Sequence, residues 1–183
     1  MKFSFKNDYS EGCHPRIIEA FSKTNLEQQN GYGLDDYSLK AEQLILQKIN
    51  NQSSKVFLVS GGTQANLIVI SAFLKPYESV IAADTGHIFT NESGAIEATG
   101  HKIHGVFTND GKLRVEDLQK VINEHQNFPH QLKQKLVYIS NSTEVGTIYS
   151  KKELQDLSAF CRENNLFLFL DGARLGHALT AET

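Results

Sequence analysis

The chain has 183 residues, 40% of them hydrophobic and 21% charged, which suits one folded domain with a buried core and argues against disorder. Its 18 basic against 21 acidic residues leave a formal charge of -3, with no electrostatic footprint for nucleic acid or an anionic membrane. A small molecule is the expected partner, and two cysteines, Cys13 and Cys161, are too few and too far apart for a disulfide framework or a zinc site.

In chain order, residues 1–40 are rich in polar and glycine positions and read as an N-terminal arm, with the loop "NGYGLDD" at 30–36. The segment has no continuous apolar core of a signal peptide, and no run of roughly 18 apolar residues follows anywhere, so a soluble cytoplasmic protein is expected. An α/β domain is expected over 41–183. Ala41, Leu44, Ile45 and Ile49 recur at helical spacing. An apolar strand at 56–60 leads through Gly61 and Gly62 into a helix that Pro76 must stop, because proline has no backbone donor. Strands follow at 79–83 and 102–107, separated by a helix around Ala95 that Gly100 closes. Leu118, Val121 and Ile122 form a helical stripe ahead of a strand at 136–140. Ser150 and Glu153 form a capping box, in which each side chain satisfies the other's backbone donor, and Leu154, Leu157 and Cys161 make that helix's buried stripe. A fully buried strand is expected at 166–170. Short apolar runs alternating with amphipathic helices predict an α/β fold, a mainly parallel or mixed sheet with helices on both faces.

Four segments carry candidate chemistry. The strand, Gly-Gly turn and helix over 56–70 present unpaired first-turn donors from Gly62, Thr63 and Gln64, a seat for phosphate; the plain reading is a tight turn with Thr63 capping the helix. It is neither a Walker A loop nor a dinucleotide fingerprint. His87 follows a strand, with Asn91 and Glu92 close behind, and suits either ring stacking and proton transfer or an ordinary surface loop. His101 and His104 fall on opposite faces of a strand, so no metal site is expected. Asp171 sits at a strand's carboxyl end, where open α/β sheets bind ligands. A carboxylate there needs a partner, either Arg174 three residues on or a protonated ring nitrogen. The fourth, "SNSTEVGTIYS" at 140–150, carries Asn141, Ser142, Thr143 and Glu144 and reads residue by residue as a polar loop.

Taken in order, "NDYSEGCHPRIIEA" at 7–20, "GYGLD" at 31–35, "GGTQAN" at 61–66, "TGHIFTNESGAIE" at 85–97 and "DGARL" at 171–175 resemble the N-terminal, cofactor-binding part of the L-threonine aldolase family. That family falls within the β-eliminating lyase group of enzymes dependent on pyridoxal 5'-phosphate (PLP). The resemblance implies the large domain of the aspartate-aminotransferase-like PLP fold, truncated, and a homodimer or homotetramer. It implies that Gly62, Thr63 and Gln64 bind the PLP phosphate, that His87 stacks on the pyridine ring, that Asp171 holds the ring nitrogen, and that Arg174 reaches the ring oxygen or the substrate carboxylate. Asn7, Asp8 and Tyr32 would approach the substrate, Asn7 standing where the family often has serine. The implied reaction is retro-aldol cleavage of L-threonine or L-allo-threonine to glycine and acetaldehyde, with His87, Asp171 and Arg174 as the catalytic set.

The family holds PLP as a Schiff base on a lysine beyond the "DGARL" strand, and no lysine follows Lys152 here. The family's small C-terminal domain is likewise not expected within these residues, so the 183 residues alone are expected to be inactive. Three readings stay open: part of a threonine aldolase, a non-catalytic remnant, or another PLP-dependent lyase or aminotransferase.

Overall fold

The computed structural model describes Ser4, Asn7 and residues 9–181. The chain divides into two compact units, Met1–Leu58 and Val59–Thr183.

Among its described residues the first unit holds two helices, α1 (Pro15–Thr24) and α2 (Asp36–Lys48). Pro15 opens α1, where its missing donor costs nothing, and the His14 ring accepts from the Arg16 amide at 3.2 Å. Asp35 caps α2 by accepting from the Ser38 amide at 2.8 Å and the Ser38 hydroxyl at 2.6 Å. These bonds hold the Asp35 carboxyl below its ordinary pKa. Helix α2 runs through residues 40 and 41, where composition alone separates arm from domain. Neither helix contains a buried residue.

The second unit is a sheet between two helical layers. Its elements are α3 (Gly62–Phe73), β1 (Glu78–Ala83), α4 (His87–Thr90), α5 (Ala95–Ala98), β2 (Ile103–Val106), α6 (Val115–Glu124), β3 (Lys133–Ser140), α7 (Lys151–Glu163), β4 (Phe167–Asp171) and α8 (Leu175–Ala178). The four strands are ordered β2-β1-β3-β4, and every pairing is parallel. Side chains alternate across the strands. Ile81, Ala83, Val137 and Ile139 therefore pack on one face with Leu118 and Val121 of α6 and Leu157, Phe160 and Cys161 of α7. Val80, Ala82, Leu136 and Tyr138 pack on the other with Ile70 of α3, Ile88 of α4 and Ile96 of α5. The chain leaves β1 toward β2 on one side and reaches β3 on the other. The gap between β1 and β3 is thus a topological switch point, whose carboxyl end is the usual ligand position in such sheets.

Most expected elements are present. Helix α3 ends at Phe73 ahead of Pro76, Gly100 takes the left-handed conformation after α5, and the Ser150–Glu153 capping box is formed. Cys161 is buried and Cys13 exposed, both as free thiols. Two expectations need correction. Residues 56–60 form no strand, and Phe57, Leu58 and Val59 are exposed. An apolar run signals a tendency to be buried, whereas a strand also needs a neighbour to ladder with, and no described strand pairs with this one. The strand at 166–170 is β4, an edge strand, so its residues are half-buried and Phe167 is exposed.

Candidate active site

The carboxyl ends of β1, β3 and β4 bring together side chains that lie far apart in sequence. After β1 the chain turns sharply at Gly86, whose amide donates to the Ala83 carbonyl at 2.9 Å. A Cβ at Gly86 would lie 3.0 Å from that carbonyl oxygen and 3.7 Å from the Tyr138 ring, so glycine lets the turn lie against β3. The turn delivers His87 as the first residue of α4. Its backbone amide donates to Glu144 Oε1 at 3.0 Å, and its ring Nδ1 lies 2.8 Å from Glu92 Oε1. Asn66, one turn into α3, donates its amide to the same Glu92 oxygen at 2.6 Å.

From Glu144 the network continues across the sheet. Ser140 donates to Glu144 Oε1 at 2.6 Å and lies 3.5 Å from the Tyr138 hydroxyl. Tyr138 donates to Asp171 Oδ2 at 2.6 Å. The other Asp171 oxygen accepts from the Ala173 amide at 3.0 Å. Tyr138 and Ser140 share a face of β3, and Asp171 is the register partner of Ser140, so strand periodicity aligns all three. Burial, then the Asp171 carboxylate, push the Tyr138 phenol above its ordinary pKa and keep it a donor. One hydrogen-bonded path thus runs from α3 through Glu92, His87, Glu144, Ser140 and Tyr138 to Asp171.

At the start of α3, Gly61 is the cap and makes no side-chain bond. Thr63 lies inside the first turn, so the sequence expectation that it caps the helix is corrected. Gln64 instead folds back, its Oε1 accepting from the Ser60 amide and hydroxyl, each at 2.8 Å. The backbone amides of Gly62, Thr63 and Gln64 have no partner within the helix, as for any first turn. Apart from the adjoining residues and the helix's own backbone, no atom among the described residues lies within 4 Å of where a Cβ would stand on Gly61 or Gly62, so the backbone is open to approach.

Arg174 is the half-buried cap of α8, and its carbonyl accepts from the His177 and Ala178 amides, each at 3.1 Å. Asn141 and Thr143 are buried and structural: Asn141 Oδ1 accepts from the Tyr149 amide at 3.2 Å, and the Thr143 and Thr147 hydroxyls lie 2.8 Å apart. In the first unit, Tyr32 is exposed with a φ of 62°. Asn7 Oδ1 accepts from the Ser10 hydroxyl at 2.6 Å, and Asp8 lies outside the described residues. Among the described residues, no group of three or more His, Cys, Asp or Glu is placed to hold a metal ion.

Sequence reasoning missed Tyr138 and Asn66 and treated Glu144 as an ordinary loop residue. The available signals were a tyrosine and a serine two apart at the end of a buried strand, and a lone amide inside the otherwise apolar stretch of α3.

A parallel α/β sheet with a carboxylate at a strand's end, a glycine-opened helix start and a histidine between them defines the class, and the sequence match defines the family. The chain belongs to the beta-eliminating lyase family, whose model matches residues 8–182. It is 34% identical over 176 residues to a low specificity L-threonine aldolase of Pseudomonas sp. (strain NCIMB 10558), covering 95% of this chain and 50% of the relative. It is 32% identical over 154 residues to the low-specificity L-threonine aldolase of Candida albicans, covering 82% and 40%. The solved threonine aldolase of Leishmania major superposes with a TM-score of 0.97 at 50% identity, over 100% of this chain and 53% of that one. An archaeal alanine:glyoxylate aminotransferase, at 24% identity and a TM-score of 0.61 over 86% and 41%, shares the fold. The chain spans about half the length of the curated relatives it matches first.

Proposed function

We propose that these 183 residues form the PLP-binding portion of an enzyme that cleaves L-threonine or L-allo-threonine to glycine and acetaldehyde. The observation that carries the proposal is the hydrogen-bonded path joining α3, His87 and Asp171 at the sheet's switch point. The residues fit the cofactor. Asp171 is oriented by Tyr138 and Ala173, which leave room among its lone pairs for one more donor, the protonated pyridine nitrogen. The open backbone at Gly61 and Gly62 and the first-turn amides of Gly62, Thr63 and Gln64 suit a phosphate dianion at the positive end of a 12-residue helix.

When bound, PLP supplies an electron sink for the pair left on Cα as the Cα–Cβ bond of a β-hydroxy amino acid breaks. The chain's own residues prepare for that. Asp171 favours the protonated ring by charge and hydrogen bond together. His87 would cover the ring face and accept the proton of the β-hydroxyl. Arg174 would meet the ring oxygen or the substrate carboxylate. The matches to threonine aldolases support this chemistry over other PLP reactions. We further infer a reducing, cytoplasmic setting, consistent with two free thiols, and a homodimer or homotetramer. Among the described residues no helix is long and apolar enough to cross a membrane.

Absorbance titration of the 183-residue chain with PLP tests the site. Reversible binding is expected, with no acetaldehyde from L-threonine, because no lysine follows Lys152 to anchor the cofactor. Threonine turnover by these residues alone contradicts the role given to that lysine. Failure of PLP to bind, or threonine left intact by a protein that joins these residues to a downstream anchoring lysine, defeats the reading.

A further inference from the structure

Glu92 has no task in the chemistry above, yet its side chain is wholly buried while the His87 ring beside it is 39% exposed. Burying a carboxylate costs several kcal/mol unless it is well partnered. Its Oε1 has two neighbours, Asn66 Nδ2 at 2.6 Å and His87 Nδ1 at 2.8 Å. Its Oε2 is buried with no hydrogen-bond partner among the described residues. An amide nitrogen can only donate, so Asn66 presses the carboxylate toward the ring from the α3 side. A carboxylate oxygen accepts, so the ring nitrogen it meets must carry the hydrogen. In a neutral imidazole the other nitrogen then has an open lone pair.

The geometry points to Glu92, held by Asn66, as a positioning residue that fixes His87 in its Nδ1–H tautomer. Nε2 is thereby the atom that receives the substrate proton, and Glu92 meets the charge on the ring once it does. A carboxylate that orients a general base in this way works through the base and touches no substrate. The Glu144 bond to the His87 amide fixes the backbone as Glu92 fixes the ring. Removing Glu144 therefore moves the residue, whereas removing Glu92 frees the ring where it stands. This assignment rests on His87 as the proton acceptor, though the tautomer itself is measurable without cofactor or substrate.

Long-range proton–nitrogen correlation spectra of the 15N-histidine-labelled chain, with His87 assigned by its loss in His87→Gln and recorded over a pH series, read the tautomer of the neutral ring. The wild-type chain is expected to show hydrogen on Nδ1 and a bare Nε2. Glu92→Gln keeps an acceptor oxygen and should keep that pattern, while Glu92→Leu should lose the Nδ1–H signal. Hydrogen on Nε2 in the wild type overturns the proposal, as does an unchanged Nδ1–H signal in Glu92→Leu. If Glu92→Leu does not fold, the wild-type spectrum decides alone. Loss of PLP binding with the Nδ1–H pattern intact would sink the functional reading and leave the Glu92 assignment standing.

Discussion

The two faces of the one sheet are built from alternate residues of the same strands, and they differ in kind. The face under α6 and α7 is almost wholly apolar, and the hydroxyl of its buried Tyr149 accepts from the Leu113 amide at 2.6 Å. The face under α3, α4 and α5 is apolar at its centre but turns polar at the strands' carboxyl ends, where Asn66, Glu92, Ser140 and Tyr138 lie inside the protein. Two histidines sharpen the contrast. His104, in register with Ile81 on the α6 side, packs its ring 4.4 Å from that of His125, and the charged groups acting on it among the described residues are His125 and Lys102. Burial, then its neighbours His125 and Lys102, push its pKa down to about 4. His87 instead has a carboxylate on its ring and another on its amide. A histidine becomes available for chemistry through what surrounds it more than through where it falls along a strand.

If one face carries stability and the other carries the site, substitutions should separate the two properties. Leu118→Ala on α6 leaves a cavity in a fully buried position and should cost about 2–5 kcal/mol in urea denaturation. PLP affinity of the folded protein should be unchanged. A loss of affinity larger than the loss of stability would dissolve the division. The reciprocal change is Asp171→Ala, which removes a charge-assisted bond worth about 1.5–3 kcal/mol, so PLP should bind about 10- to 150-fold more weakly. The midpoint of unfolding should fall less than in Leu118→Ala, since Asp171 is half-buried at the end of an edge strand and the main cost is the buried Tyr138 hydroxyl left without its acceptor, about 1–3 kcal/mol.

Ser150→Ala tests the quiet face on a smaller scale. Ser150 accepts from the Glu153 amide at 3.2 Å and its own amide donates to Glu153 Oε2 at 2.7 Å. Its loss should cost about 1 kcal/mol of unfolding free energy with no effect on PLP.

How far each face was legible follows from the range of the signals. The α6 and α7 stripes, the capping box and the strand ends are local patterns of three to four residues or of two, and they are written at Leu118, Val121, Ser150 and Glu153. Asp171 was legible because an apolar run ending on a charge is a local anomaly. The pairing of Asn66 with Glu92 spans 26 residues and that of Tyr138 with Asp171 spans 33, so no periodicity announces either. Glu144 looked like any acid in a polar loop, because its bond to His87 joins that loop to the start of α4, which only the sheet brings together. Residues 56–60 misled for the same reason, since their apolarity is local and a ladder partner is not.

The smallest effect tests the contrast between the histidines. In the unfolded chain His104 titrates near its ordinary 6.5, and in the folded chain near about 4. Between those values the unfolded state holds a proton that the folded state refuses, so stability rises with pH across that window and falls as the solution is acidified through it. Solvent screening at a half-buried ring should keep the loss below that of the Ser150 cap. His104→Gln removes the titrating group while keeping a polar side chain near Gln134, whose amide lies 3.4 Å from the ring. Urea melts at pH 7 and pH 5 should therefore show the wild type losing more stability on acidification than the variant. Glu153, held down to about 2 by Lys112, stays ionised at both values and should not distort the comparison. Equal losses in the two proteins would mean that His104 takes up its proton in the folded state. The α6 face would then be wetter, and less unlike the face that carries the site, than its packing indicates.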